Sequence, residues 1–236
     1  MERKLVPQKE HIIVFSGAGM SAESGLKTFR DHGGLWEKYE VSQVATPEAW
    51  QENPGLVLEF YNQRRTQLFE AKPNRAHQLV ADLENYFRLT VITQNIDDLH
   101  EKAGSSKVIH LHGELKKARS EKYPDLIYDW HKKRIELGDT CERGYQLRPH
   151  VVWFGEAVPQ MAVASKLMKS ADYLVVIGTS LNVYPAASLV HEVAEKTKCF
   201  LIDPKPAIDV EDDRWEIIKA NAGEGMKILK KLLFQS

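Results

Sequence analysis

Six short runs of β-branched and aliphatic residues set the strongest limit on what this chain can fold into. They are His11–Ser16, Leu89–Thr93, Lys107–Leu111, His150–Trp153, Tyr173–Ile177 and Cys199–Ile202. Within each run the apolar residues are nearly continuous, as expected for strands buried on both faces of a parallel sheet. Between several of them lie amphipathic helical patterns, at Ala76–Phe87, Gln160–Ala171, Pro185–Lys196 and Glu224–Leu233. This alternation predicts an α/β fold built on a Rossmann-like doubly wound parallel sheet.

Two stretches interrupt the alternation, residues 27–75 and 113–149. They are expected to form a small, mostly helical second module, leaving 1–26, 76–112 and 150–236 as the core domain. The second stretch is densely charged between Lys116 and Arg143, yet Tyr123, Leu126, Ile127, Trp130 and Leu137 keep helical spacing. Pro124 and Gly138 are placed to start and end that helix.

Composition narrows the class of function. Of the 236 residues, 43% are hydrophobic and 28% charged, enough for a packed core. A net charge of −1, with no basic stripe interleaved with aromatics, argues against a nucleic-acid partner. No apolar run approaches the roughly 20 residues of a membrane span, and the first residues lack a signal-peptide core. Cys141 and Cys199 are too few for a disulfide framework or a four-cysteine zinc site. A cytoplasmic address and a monomer are the starting expectations.

The first strand runs directly into Gly17-Ala18-Gly19-Met20-Ser21-Ala22. One glycine suits the tight turn, the second allows close backbone approach, and the small sixth residue allows helix–strand packing. Such a turn offers backbone N–H groups to a pyrophosphate. The ribose-binding acid that dehydrogenases carry about 20 residues later is missing, so hydride transfer is disfavoured.

Five segments occur in order: GAGMSAESGLKTFRD (Gly17–Asp31), TQNIDDLH (Thr93–His100), HLHGEL (His110–Leu115), RPHVVWFGE (Arg148–Glu156) and GTSLNVYPAA (Gly178–Ala187). Together they resemble the sirtuins, the NAD-dependent protein-lysine deacylases. The resemblance implies NAD as cofactor and acyl-lysine side chains of proteins as substrate. The amide oxygen of the acyl-lysine attacks the nicotinamide ribose as nicotinamide leaves, yielding deacylated lysine and O-acyl-ADP-ribose. The core then becomes the NAD-binding domain, and the two insertions build the acyl pocket.

By the same resemblance His112 is the general base, a role suited to an imidazole with an unperturbed pKa of about 6.5. Asn95 orients the ribose, and Asp97 with Ile96 grips the nicotinamide carboxamide, beside Gln94. Gly17, Ala18, Gly19 and Ala22 meet the diphosphate, Arg30 a phosphate or ribose, while Phe29 shields the reactive carbon. Gly178, Thr179 and Ser180 contact the adenosine half, joined by Asp203, where the family usually has Asn, and by Ala222. Val152, Phe154 and Gly155 pair with the substrate peptide. Asp98 is expected to cap the helix that follows, and His110 is assigned no role.

Asn53-Pro54 starts a helix on which Val57, Tyr61, Arg64 and Leu68 share one face. Tyr61-Asn62-Gln63-Arg64 matches the Y-x-x-R motif of the sirtuins that remove acidic acyl groups, because a guanidinium binds a carboxylate bidentately. Succinyl- and malonyl-lysine are therefore expected substrates alongside acetyl-lysine, and Arg65 is expected to be solvated. The family's four zinc cysteines are not preserved. Ser120 stands at the first position, and only Cys141 survives of the second pair, so no structural zinc is expected. Two other readings stand beside deacylation: mono-ADP-ribosyl transfer on the same site, and a non-catalytic NAD- or ADP-ribose-binding module.

Overall fold

The computed structural model describes residues 9–26, 39–206 and 212–235. Its centre is a six-stranded sheet of β1 (His11–Ser16), β2 (Arg88–Thr93), β3 (Val108–His110), β7 (Tyr173–Ile177), β8 (Lys198–Ile202) and β9 (Trp215–Ile218). The spatial order is β3-β2-β1-β7-β8-β9, and every pairing is parallel. The chain therefore winds outward from β1 in one direction and from β7 in the other. Between these two strands lies the crevice where sheets of this kind bind ligands, at the carboxyl ends.

Alternate residues of each central strand point to opposite faces, and both faces are covered. Ile12 and Val14 pack with Leu79, Val80 and Leu83 of α4 (Arg75–Leu83) and with Met226 and Leu229 of α7 (Ala222–Gln235). Ile13 and Phe15 pack on the other face with Ala164 and Met168 of α6 (Met161–Met168) and with Leu189 and Val190. Burial on both sides explains why these strands read as continuous apolar runs. The helix expected at Pro185–Lys196 is shorter and tighter, a 3-10 turn over Ala186–His191.

A second, three-stranded antiparallel sheet stands apart, in the order β5-β4-β6. It comprises β4 (Gly113–Ser120), β5 (Ile127–Asp129) and β6 (Leu147–Val151). Its Leu115, Ala118, Leu147 and Val151 share a core with α1 (Val41–Val44), α2 (Pro47–Glu52) and α3 (Pro54–Glu70). Two expectations are corrected here. His150–Trp153 is not a strand of the parallel sheet: its buried run is covered by α3, and its partner is β4. Tyr123–Leu137 is not a helix, because Ile127–Asp129 pairs with Lys117–Arg119 as a strand. The second module thus carries a three-stranded sheet beside helices that hold more of its described residues. The strand Trp215–Ile218 lacked a continuous apolar run and went unrecognised in the sequence.

Ser120 and Cys141, far apart in the chain, are packed against one another. The Cys141 thiol lies 3.5 Å from the Ser120 hydroxyl, and both residues are buried. Beside them the Tyr123 and Tyr145 rings meet edge to face, 5.4 Å between centroids. Lys122 and Arg143 lie over these rings, each 4.4 Å from its centroid. Stacked cations and aromatics occupy the knuckle between β4 and β6.

Candidate active site

The carboxyl ends of the parallel strands are level. Ser16 pairs with both Thr93 and Ile177, Thr93 with His110, and Ile177 with Ile202. The segments that leave these strands therefore converge on one cavity of about 1210 Å³. That exceeds the roughly 300–1,000 Å³ of a pocket for a single small molecule. Gly17, Ala18, Gly19, Ala22, Gln94–Asp97, His112, Gly178–Ser180, Asp203 and Ala222 all line it, as do Tyr61, Arg64, Val152, Phe154 and Gly155. Phe29 and Arg30 lie outside the described residues.

The turns after β1 and β7 touch back to back. Gly19 N–H donates to the Gly178 carbonyl at 2.8 Å. Gly178 has φ +62, and a Cβ there would stand 2.2 Å from the Met20 nitrogen. Only glycine permits this approach, which leaves the turn backbone open along the cavity floor. A side chain at Gly19 would likewise come within 2.8 Å of Gly178.

His112 follows β3 and begins the crossing into the second sheet. Its Nδ1 lies 3.0 Å from the Gln94 carbonyl oxygen. A carbonyl only accepts, so Nδ1 carries the proton and Nε2 keeps its lone pair. Burial lowers the His112 pKa below the usual 6.5, against the raising effect of the Gln94 contact. The ring is therefore neutral at pH 7, as a proton acceptor must be.

The loop after β2 is held by its own side chains. Asn95 Nδ2 donates to the Gly17 carbonyl at 3.0 Å and to the Ser21 hydroxyl at 3.2 Å. Ser21 donates in turn to Asp97 Oδ2 at 2.9 Å. Burial raises the Asp97 pKa, opposed by the Leu99 amide and Ser21. The other carboxylate oxygen accepts from the Leu99 amide at 3.1 Å, at the start of α5 (Leu99–Lys102). Asp98 holds the N-cap position of that helix, as expected, but its side chain makes no capping bond and instead pairs with Lys102 at 3.1 Å and Lys116 at 2.6 Å. Ser21 sat inside the glycine segment but was given no role in the sequence reading.

On α3, the Asn53 side chain accepts from the Leu56 amide at 3.0 Å, and Pro54 opens the first turn, as expected. Tyr61 is buried, and its pKa is pushed up to about 12 by desolvation, so its phenol keeps its proton. The Trp153 indole N–H donates to the Tyr61 oxygen at 3.1 Å. Trp153 is itself clamped: the Arg148 guanidinium lies 3.1 Å from its ring centroid, and the Trp153 amide donates to Glu156 at 2.8 Å. Arg148 and Arg119 both pair with Glu156, at 2.8 and 3.0 Å. Arg65 corrects another expectation. It is fully buried, with its guanidinium on the carbonyls of Leu115, Trp130 and Lys132.

These residues coincide with a known family pattern. The Sir2 family profile matches residues 17–185. An NAD-dependent protein deacylase of Bacteroides thetaiotaomicron is 52% identical over 233 residues, covering 95% of this chain and 98% of that protein. One of Helicobacter pylori is 50% identical over 226 residues, covering 96% of each. A solved Sir2 homologue in complex with NAD superposes with a TM-score of 0.86 at 37% identity, covering 96% of this chain and 90% of that one. A Sir2 structure with a deacetylated peptide and 3′-O-acetyl-ADP-ribose gives 0.80 at 29% identity, covering 95% and 94%. With the sheet order, the glycine turns and the imidazole at the mouth of β3 all in agreement, the chain belongs to the Sir2 family.

Proposed function

We propose that this protein removes acyl groups from lysine side chains of other proteins at the expense of NAD, giving nicotinamide, O-acyl-ADP-ribose and free lysine. We include succinyl and malonyl groups with acetyl. The observation that carries the reading is His112, neutral and tautomerically fixed by Gln94, on the same cavity as Asn95, Asp97 and the Tyr61/Arg64 pair.

The residues fit NAD. The Gly19–Gly178 contact keeps side chains out of the floor that a diphosphate would follow, and the cavity has room for a dinucleotide beside a second substrate. Gly17, Ala18, Gly19 and Ala22 would hold the diphosphate, and Gly178, Thr179, Ser180, Asp203 and Ala222 the adenosine half. Gln94, Asn95, Ile96 and Asp97 would hold the nicotinamide ribose and its carboxamide. Bound NAD supplies an electrophilic ribose carbon with a departing nicotinamide. His112 Nε2 would be free to take a proton from a ribose hydroxyl, and Asn95 would keep that sugar oriented. Asp97 accepts from the carboxamide NH₂.

The acyl-lysine enters past Val152, Phe154 and Gly155; the Val152 and Phe154 amides are bonded to His112 and Ala45, so an added peptide strand would pair with the carbonyls of this segment. Tyr61 and Arg64 then meet the acyl end. Because Trp153 donates to the Tyr61 oxygen, the phenol hydrogen is left to donate to an acyl carboxylate, while Arg64 adds its charge. Incubating matched acetyl-, succinyl- and malonyl-lysine peptides with the protein, with and without NAD, tests the reading by mass spectrometry. NAD-dependent loss of acyl mass with formation of O-acyl-ADP-ribose is expected. Added ADP-ribose mass on protein, with acyl groups untouched, would point to transferase activity instead.

A further inference from the structure

The buried imidazole two residues before the base has a different chemistry. His110 ends β3, and its Nδ1 lies 3.0 Å from the Asn95 carbonyl oxygen. Its Nε2 lies 2.7 Å from Glu101 Oε1, with the His110 side chain only 8% exposed. A carbonyl and a carboxylate both lack a proton to give, so each contact requires an N–H on the ring. Two such contacts make His110 an imidazolium, whereas His112 has one. From the end of β3 and from the turn that follows it, the two rings grip the consecutive carbonyls of Asn95 and Gln94.

We propose that His110 is a positioning residue for the deacylation reaction: as an imidazolium between the Asn95 carbonyl and the Glu101 carboxylate, it fixes the loop that presents Asn95 and Asp97 to the cofactor. The inference rests on the reading of those two residues as cofactor contacts. The surroundings agree with a cation. Glu101 from α5 and Glu114 from β4 favour it, while burial opposes it, and the balance raises the His110 pKa above 6.5. The benefit is felt at Asp97. Desolvation raises the Asp97 pKa, and the charge on His110 acts in the lowering direction, towards the carboxylate form that accepts from an amide. His100, also buried nearby, has its own pKa lowered by burial and by the charges of His77 and His110, so it does not compete for the proton.

Glu101→Gln keeps an acceptor oxygen but removes the charge, and His110→Phe removes both ring contacts. Two-bond ¹H–¹⁵N spectra of the parent protein without NAD, with the His110 signals identified by their loss in His110→Phe, should show both nitrogens protonated at pH 7. In Glu101→Gln the change to a neutral ring should move to lower pH. In deacetylation assays the same variant should raise KM for NAD about tenfold above the parent at pH 8, with kcat changed less, and approach the parent at pH 6, where solvent protonates the ring. A His110 with one bare nitrogen at pH 7 would overturn the proposal, as would a KM ratio that is flat from pH 6 to 8. Failure of the deacylase reading itself would appear separately, as absent turnover in the parent chain, whatever the nitrogens report.

Discussion

The indole of Trp153 donates its N–H to the hydroxyl of Tyr61 at 3.1 Å, and that single contact fixes the polarity of the proposed acyl pocket. A phenol whose oxygen already receives one hydrogen bond is left to donate its own. Trp153→Phe keeps a large ring beside Arg148 and Trp50 but removes the donor. Its expected effect is a three- to tenfold rise in KM for succinyl-lysine peptides, about 1 kcal/mol, with acetyl-lysine changed less. Steady-state kinetics on matched peptides checks it; equal losses on both would remove Trp153 from acyl selection.

Arg64 lines the cavity, whereas its neighbour Arg65 is buried on three backbone carbonyls. Arg64→Met should impair desuccinylation far more than deacetylation. Arg65→Met should instead destabilise the fold by about 3 kcal/mol or more, because three buried carbonyls lose their donor together. Urea unfolding of both variants separates the two outcomes.

The pH response expected of His112 as the proposed base follows from burial. The His112 pKa lies below 6.5 in the folded protein, so the neutral ring persists to lower pH than in an exposed histidine. The acid limb of kcat/KM should accordingly have its midpoint below about 6.5. The same shift makes stability contributed by His112 fully present above its unfolded pKa and lost as pH falls through the folded one. His112→Ala should abolish turnover while leaving NAD-induced thermal stabilisation, measurable by calorimetry, in place.

The knuckle between β4 and β6 is expected to hold without metal. Elemental analysis should find no stoichiometric zinc, and chelator should leave Tm unchanged. Tyr145→Ala, which removes the ring between Tyr123 and Lys122, should lower stability by about 2 kcal/mol in urea unfolding.

Much of this arrangement was legible in the sequence, for a physical reason. Strands covered on both faces need continuous apolar runs, so β1, β2, β7 and β8 announce themselves, and the Asn53-Pro54 cap is a local signal that depends on nothing distant. The misreadings arise where burial comes from elsewhere in the chain. His150–Trp153 looks like a strand of the main sheet because a run buried under α3 has the same composition as one buried between helices. Arg65 looks solvated because its three acceptors arrive from Leu115, Trp130 and Lys132, at least 50 residues away. Tyr123–Leu137 keeps helical spacing by chance of composition, while pairing with β4 decides its conformation. Trp215–Ile218 is interrupted by Glu216 and borders charged residues, so no periodicity marks it as the sheet's last strand. In the site, which of the adjacent Asp97 and Asp98 side chains bonds the Leu99 amide could not be told from sequence, and His110 gained its partners only when β3 was set beside the Asn95 loop.

The Val152 amide donates to the His112 carbonyl at 2.9 Å, joining the segment proposed to receive a target directly to the proposed base. On that proposal a guest polypeptide laid along the segment would be gauged against the reacting atoms by main-chain geometry alone. Its sequence can vary widely without misaligning the reaction, while discrimination falls on the one modified side chain that reaches inward. An enzyme arranged in this way chooses by what decorates a lysine more than by what surrounds it.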